Sequence, residues 1–416
     1  MDEKQELRWR RQALRWLLQG QTPAAILARI PRCRSWLHKW AARFDQLGQD
    51  GLHSRSRRPQ QSPHAFTEQE RRLVWRERLR LERCAVGLVG PAAIQAELHA
   101  SRLLRRVPSL ATIKRILRAA GVYGARPQPR SAYFPQPRPT AAYVVQALDW
   151  TARYLAGGQK VFAFHTVDLQ THALCQSVSS DKSVATALAH ALHSWRQLGL
   201  PDGLQLDNDA AFCGGYKKAR VFGRFIRLCL YCGVEPIFLP PGEPRRNGVV
   251  ERLNGLWAQA CWQRRRFRSP EEAARACAEF VRWHAHEYRP PALHGLTPAQ
   301  AERRVTRRRL TAGEVRALPE VLPLTAGRVH FLRRVDEEGR ITLLNETWAV
   351  GRRLRGQYVW VTVVTHERRL EVYHRRAAGA PVRLVKVFRY QVHETVLPLR
   401  AAFKRRQRRR KVSTMS

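Results

Sequence analysis

Acidic residues are scarce in this 416-residue chain: 33 Asp and Glu stand against 75 Lys and Arg, a formal charge of +42. Such a surplus repels itself unless a polyanion is the working partner. Nucleic acid fits best, because each Lys or Arg set on a phosphate releases condensed counterions. Long hydrophobic runs are also missing. No stretch of 18 uncharged apolar residues exists, which argues against a transmembrane helix and against a membrane partner. The opening residues MDEKQELRWR are charged and no apolar segment follows them, so a secretory leader is not expected. Paired cysteines are nearly absent. Of the eight, only Cys229 and Cys232 are closely spaced, with no second pair and no HxxxH to complete a zinc site. Inert thiols in a reducing cytoplasm are the expectation. His284, His286 and His294 have no metal-ligand spacing either. Apolar residues make up 44%, enough for sizeable cores, and the length suggests two to four domains.

Residues 4–19 and 22–47 read as three helices. Thr22 followed by Pro23 is a cap and first-turn pair, and Ala24, Ile26, Leu27, Ile30, Trp36, Leu37 and Trp40 recur at helical spacing. The turn at Pro31-Arg32-Cys33 suggests a helix-turn-helix domain over 1–52, its last helix exposing Arg34, Ser35, His38 and Lys39 for DNA contact. A basic Ser/Pro/Arg linker covers 53–66. Residues 67–122 repeat the pattern as a second, winged-helix-like unit. There Ser109 is a cap, and Thr112, Lys114 and Arg115 are the candidate DNA contacts. A Pro/Arg-rich linker spans 123–140.

Beyond it the texture changes. Tyr143–Leu148, Lys160–Val167 and His172–Val178 read as a three-strand meander. Ser183–Leu198 reads as helix, Gly203–Leu206 as strand, Tyr216–Cys232 as helix and Val234–Leu239 as strand, with helices over 248–265 and 270–287. That order predicts an α/β core with a mixed sheet over 141–304. From about 320 to 400 short strands suggest a small β-barrel. The run at 401–416 is a basic tail expected to adhere to DNA without reading it.

Three carboxylates stand out by position. Asp149 follows the apolar run Val144–Leu148 as a strand end, and Asp207 ends the strand Gly203–Leu206. Glu251 lies in the first turn of a helix that Asn247 can cap. Clustered carboxylates repel and have raised pKa values unless a cation neutralises them, a role that two magnesium ions could fill.

Four motifs extend this reading in order along the chain: Gly51-Leu-His-Ser-Arg-Ser-Arg-Arg-Pro59, Leu206-Asp-Asn-Asp-Ala-Ala-Phe212, Pro241-Gly-Glu-Pro-Arg-Arg-Asn-Gly-Val-Val-Glu-Arg-Leu-Asn254, and Tyr288-Arg-Pro-Pro-Ala-Leu-His-Gly-Leu-Thr-Pro298. From about residue 6 to 304 the chain resembles bacterial insertion-sequence transposases with a retroviral-integrase-type catalytic core. The resemblance implies tandem helix-turn-helix units and an RNase H-like core. It also implies a catalytic and metal-binding triad of Asp149, Asp207 and Glu251, with Asn247 and Gly248 shaping the start of the catalytic helix. Two ions of Mg²⁺ or Mn²⁺ are the implied cofactors, with no small-molecule cofactor. The implied partners are double-stranded DNA, both element ends and target, and further copies of the chain. Arg245, Arg246, Asn247, Arg252 and Asn254 flank the triad as candidate DNA contacts. The implied activity is cleavage at an element end and transfer of the freed 3′-hydroxyl strand into target DNA. The other reading is a transposase-derived regulator that binds DNA without catalysis.

Two departures stand out. The family usually has Asp-Asn-Gly at the second carboxylate, where this chain has Asp207-Asn208-Asp209. In addition, 43 residues separate Asp207 from Glu251, more than is usual. The usual spacing lands on Glu243, but Pro240, Pro241, Gly242 and Pro244 around it forbid a helix start. The extra residues are expected between Cys213 and Cys232, as a lengthened helix. Asp168, at the end of the second strand, reads as structural.

Overall fold

The computed structural model describes residues 3–54, 65–122, 133–136, 139–140, 143–214 and 220–403, with the side chains of Lys4, Pro244 and Arg245 outside the description. The chain divides into two compact units, Met1–Thr67 and Glu68–Ser416. The expected linker residues 55–64 and 123–132 and the tail residues 404–416 lie outside the described residues.

The first unit is three helices, α1 (Glu3–Leu18), α2 (Pro23–Leu27) and α3 (Arg34–Leu47). Ala13, Ile26, Ile30 and Leu37 close one small core, and Leu14, Trp40 and Leu52 another. The Thr22 hydroxyl accepts from the Ala25 amide at 3.4 Å, satisfying one of the free donors at the start of α2. Arg10 is buried. It donates to the Leu52 carbonyl at 2.8 Å and lies 3.7 Å from the Trp40 ring centroid, so a cation takes part in the core through its planar head.

The second unit opens with α4 (Glu68–Glu82), α5 (Pro91–Ser101) and α6 (Leu110–Ala119). Val74, Leu81, Ile94, Leu98, Ile113 and Leu117 form their shared core. Ser109 caps α6 by accepting from the Thr112 amide at 3.3 Å. No strand occurs among the described residues of 68–122, so the expected wing is not there. The chain from Leu104 to Pro108 instead passes directly into the capped start of α6.

The rest of the unit is built on one sheet. Its first part comprises β1 (Val145–Tyr154), β2 (Lys160–Asp168), β3 (Leu174–Ser179), α7 (Val184–Gln197), β4 (Gly203–Leu206), α8 (Ala210–Cys213), α9 (Arg224–Tyr231) and β5 (Glu235–Phe238). Then follow α10 (Gly248–Ala260), α11 (Pro270–His286), α12 (Pro298–Glu302) and α13 (Ala312–Arg316). Last come β6 (Arg328–Arg334), β7 (Arg340–Leu343), β8 (Glu346–Ala349), β9 (Tyr358–Val364), β10 (Arg369–His374) and β11 (Arg383–Arg389). The strand order is β11-β10-β9-β6-β5-β4-β1-β2-β3, with β7 and β8 pairing apart. β1 to β3 form an antiparallel meander, and β1, β4, β5 and β6 run parallel. The mixed α/β core read from the sequence is therefore present. Strand alternation sorts its two faces. Leu148, Phe164, Leu204 and Leu206 pack with residues of α7, α8 and α9, whereas Ala147, Ala163 and Val167 pack with α10 and α11.

Three expectations need correction. Asp149 does not end its strand, because the antiparallel partner β2 carries β1 on to Tyr154. Of the helix expected over 216–232, residues 216–219 lie outside the described residues, and among the rest only α9 is helical, with 220–223 unwound before it. The C-terminal strands do not close into a barrel. β6 pairs with β5 on one side and β9 on the other, leaving no free edge for β11 to join. Phe238 of β5 stacks on Phe331 of β6 with ring centroids 5.1 Å apart, sealing the joint. β6 and β11 themselves went unread in the sequence.

This joint predicts the result of truncation. A chain ending at residue 320 leaves β5 as an open hydrophobic edge and uncovers Phe238, so it should aggregate or lose cooperative unfolding. Size-exclusion chromatography and thermal melting check this. A monomeric, cooperatively folded 1–320 fragment would mean that the C-terminal strands are separable after all.

Candidate active site

The β1–β4 ladder pairs Val145 with Gly203, Gln146 with Leu204 and Ala147 with Gln205. Two residues further along each parallel chain come Asp149 and Asp207. They share the parity of Ala147 and Gln205, so both carboxylates rise on the face covered by α10. Glu251 lies in the first turn of that helix. One turn on, Asn254 donates from Nδ2 to Asp149 Oδ2 at 3.1 Å. The start of α10 is tied to β4 because Gln205 Nε2 donates to Asn247 Oδ1 at 2.7 Å.

Burial, and after it the charges of Asp207 and Glu251, push the Asp149 carboxyl up from its ordinary 3.8 to about 6. Asp207 is also raised, by burial and by the charge of Asp209, with Lys182 pulling the other way. His165 stands opposite Asp149 on β2 and is fully buried. Burial and the nearby Arg153 hold it down at about 3, so the imidazole is neutral. Gln176 Nε2 and His165 Nδ1 are 3.0 Å apart, and the ring packs edge-on against Trp257.

The Asp207-Asn208-Asp209 departure now has a structural account. Asp209 caps α8, its Oδ1 accepting from the Ala211 amide at 2.9 Å, and its Oδ2 takes Lys182 Nζ at 2.8 Å. Asn208 donates to the Leu239 carbonyl and accepts from buried Arg333 Nη2 at 3.0 Å. The flanking residues therefore hold the Asp207 loop to β5 and β6. Glu243 lies elsewhere: its Oε2 accepts from Tyr358 Oη at 2.5 Å and from Arg246 Nε at 3.0 Å. Asp168 is structural in kind, accepting from the Gln170 and Thr171 amides and pairing with Arg307 at 3.4 Å.

Several candidate DNA contacts are engaged within the protein. Asn247 is buried and bonded to Gln205, and its side chain makes no cap for α10, so the expected cap is not found. Asn254 is turned onto Asp149. Arg246 bonds Glu243 and Tyr358 and lies 4.6 Å from the Phe134 ring centroid. The Thr112 hydroxyl sits 3.1 Å from the Ser109 cap hydroxyl. Arg34, Ser35, His38 and Lys39 on α3, Lys114 and Arg115 on α6, and Arg252 on α10 are exposed. The Arg245 side chain lies outside the described residues. Gln205 and Arg333 went unread; their signal is a polar residue at a buried position of an apolar strand. Lys182 carries no comparable signal.

Among the described residues no group of three or more His, Cys, Asp and Glu side chains is gathered to hold a metal ion. The donor chemistry does suit a hard cation. Asp149 and Asp207 present paired oxygens whose raised pKa values report uncompensated charge. Cys229 and Cys232 are buried and raised by burial, Cys232 to about 12, which suits inert sulfur. Among the described residues, no helix is long and apolar enough to cross a membrane.

Residues 232–298 match the family described as Integrase core domain. The matched stretch runs from the end of α9 into α12 and includes Glu251, while Asp149 and Asp207 lie before it. No curated protein matches the chain. Among solved structures, the chain is similar to the HTLV-2 integrase catalytic core domain in complex with magnesium, in its trimeric form. Identity is 17%, over 38% of this chain and 95% of that one, with a TM-score of 0.29. The simian T-cell lymphotropic virus intasome in complex with PP2A regulatory subunit B56 gamma aligns at 15% identity, over 73% of this chain and 96% of that one, with a TM-score of 0.34. The catalytic core domain of BIV integrase aligns at 16% identity over 38% and 93%, with a TM-score of 0.28.

The raised Asp149 pKa has a stability consequence. Folded Asp149 holds its proton up to about pH 6, whereas the unfolded chain releases it near 4. In chelator, stability should therefore fall as pH rises from 4 through 6 and then level off. Asp149→Asn removes this cost, so it should be more stable than wild type at pH 7, by up to about 3 kcal/mol, with the difference vanishing below pH 4. Urea unfolding at both pH values measures it; equal stabilities at pH 7 would contradict the buried, repelled carboxylate.

Proposed function

We propose that the chain is a DNA transposase of the integrase-core kind. It would bind the ends of a mobile element, cut the phosphodiester at the end and join the freed 3′-hydroxyl to target DNA. The observation that carries the proposal is the pair Asp149 and Asp207, side by side under α10 and sharing their field with Glu251. The match of 232–298 to an integrase core domain supports it from an independent direction.

In this reading Asp149, Asp207 and Glu251 would hold Mg²⁺ or Mn²⁺. Such ions supply Lewis-acid charge to the scissile phosphate and lower the pKa of water. The chain's own contribution is placement. Asn254 fixes one Asp149 oxygen, and the Asp209 amide fixes one Asp207 oxygen. The Gln205–Asn247 bond holds the turn that carries Glu251. Neutral His165 adds no positive charge of its own to the floor of the site. The three-helix groups over 1–52 and 67–122 would act as tandem helix-turn-helix readers of the element end, with several copies assembling on paired ends. The basic residues 404–416 would hold phosphates without reading bases.

Asp149→Asn, Asp207→Asn and Glu251→Gln should each lower cleavage on the order of 10³-fold or more while DNA affinity stays within a few fold. Glu243→Gln should still cut. The assay is full-length protein, magnesium and a library of candidate ends, with the joints sequenced. Activity surviving in Glu251→Gln but lost in Glu243→Gln would reassign the third carboxylate. Binding without cutting by the wild type would favour a DNA-binding regulator. Alanine at Arg34, His38 or Lys39 should weaken one part of the footprint, and alanine at Lys114 or Arg115 another. A lost base contact should cost roughly 1–3 kcal/mol. Unchanged footprints over both parts would remove the two-reader arrangement.

A further inference from the structure

Arg264 follows α10 in a short 3₁₀ turn, Trp262–Arg264. Every nitrogen of its guanidinium is used on a backbone carbonyl. Nη1 donates to Leu81, Glu82 and Cys84 at 3.2, 2.8 and 3.4 Å, Nη2 to Gly87 at 3.0 Å, and Nε to Gln259 at 3.1 Å. Leu81 and Glu82 are the last residues of α4, whose terminal carbonyls lack helical partners. The cation also sits at the negative end of that helix. The return contact comes from the Gly87 amide, which donates to the Ala260 carbonyl at 3.2 Å. Val86 and Leu88 pack beside it against the α10–α11 core.

The planar fork suits this task. Five donors in a fixed planar fork can meet carbonyls spread over a wide arc, where an ammonium offers three donors at one point. Gly87 holds φ +141, where a side chain is strained although a Cβ would meet nothing nearer than Trp283 Nε1 at 3.9 Å. Both partners of the joint are thus specialised for it.

From this geometry we infer that Arg264 is a positioning residue that sets where DNA is cut. α10 carries Glu251 in its first turn and touches Asp149 through Asn254, and its far end runs into Arg264. Glu251 and Ala260 are nine residues apart, about 14 Å along the helix axis. The same helix therefore fixes the carboxylates at one end and the α4–α6 group at the other. A sequence held by α6 would then lie at a constant distance from the scissile phosphodiester. The inference rests on the proposed transposase reading for the cut, but the joint itself does not.

Full-length wild type is compared with Arg264→Ala, Arg264→Lys and Gly87→Ala, the two stretches of DNA followed being the one protected by the α4–α6 group and the one protected by the core around Asp149. The glycine variant opens the joint from the other side while keeping the arginine, which covers the case that Arg264→Ala does not fold. Hydrogen exchange reads the joint, hydroxyl-radical footprints read the spacing of the two protected stretches on bound DNA, and sequenced joints read the cut. In Arg264→Ala, amides of 84–88 should exchange at least tenfold faster. DNA affinity should stay within about threefold, the two footprints should lose their fixed spacing, and cuts should spread over neighbouring phosphodiesters. Arg264→Lys should restore part of the spacing, and Gly87→Ala should behave like Arg264→Ala. A released joint with sharp, wild-type footprint spacing overturns the inference, whether or not DNA is cut. Wild-type protein that binds with fixed spacing yet never cuts would overturn the transposase reading and leave the positioning role to the footprints.

Discussion

Asp149 on β1 and Asp207 just past the end of β4 are held partly out of water, and this burial of acidic groups is the constraint the rest of the core is arranged around. Two carboxylates in that position cost free energy that the fold does not recover within the described contacts. Asn254 and the Asp209 amide each donate to one oxygen, which steadies the side chains without neutralising them. Lys182, the cation that lowers Asp207, is itself bonded to Asp209. Arg153 turns to the Trp257 ring and the Thr151 hydroxyl, and Arg246 to Glu243. The outcome is a small anionic point inside a chain of charge +42. Such a point attracts cations locally, while the basic surface attracts phosphate from further away.

What was legible in the sequence follows from which signals are local. Strand and helix periodicity depend on neighbours along the chain, so the β1–β3 meander, α7, β4 and α11 could be read with small boundary errors, the end of β1 excepted. The carboxylates could be singled out because apolar runs end beside them. The end of β1 could not be placed, because the pairing with β2 that extends it past Asp149 is tertiary. Nor could the fate of the C-terminal strands. Their alternation is as consistent with a barrel as with an extension of the sheet, and only the partner of β6 distinguishes the two. Asn247 shows the same limit at a single residue: an Asn before a helix reads as a cap, yet Gln205 from β4 has taken its carbonyl.

Extending the sheet also changes what the C-terminal third does. As a separate barrel it would touch the site only through a tether. As β6 it stands beside β5, and Arg333 reaches from it to Asn208, next to Asp207, and to the Leu239 carbonyl at the end of β5. One buried guanidinium thereby fixes three strand ends relative to one another. Removing it would take one donor from each of these acceptors and leave the Leu239 carbonyl to the Asn208 amide alone.

Arginine content therefore needs dividing before it is taken as a sign of nucleic acid. Arg10 and Arg333 are buried, Arg307 pairs with buried Asp168, and Arg264 closes the joint between α4 and α10. Each uses its flat fork to collect carbonyls, a carboxylate or a ring that no short side chain could reach together. These residues add to the formal charge but present little of it to a ligand. Exposed basic residues, those on α3 and α6 among them, keep their charge at the surface. Internal arginines brace the loop beside Asp207 and the end of α4, and external ones leave their charge on the surface. The two groups share a residue type for different physical reasons, planarity for the first and charge for the second.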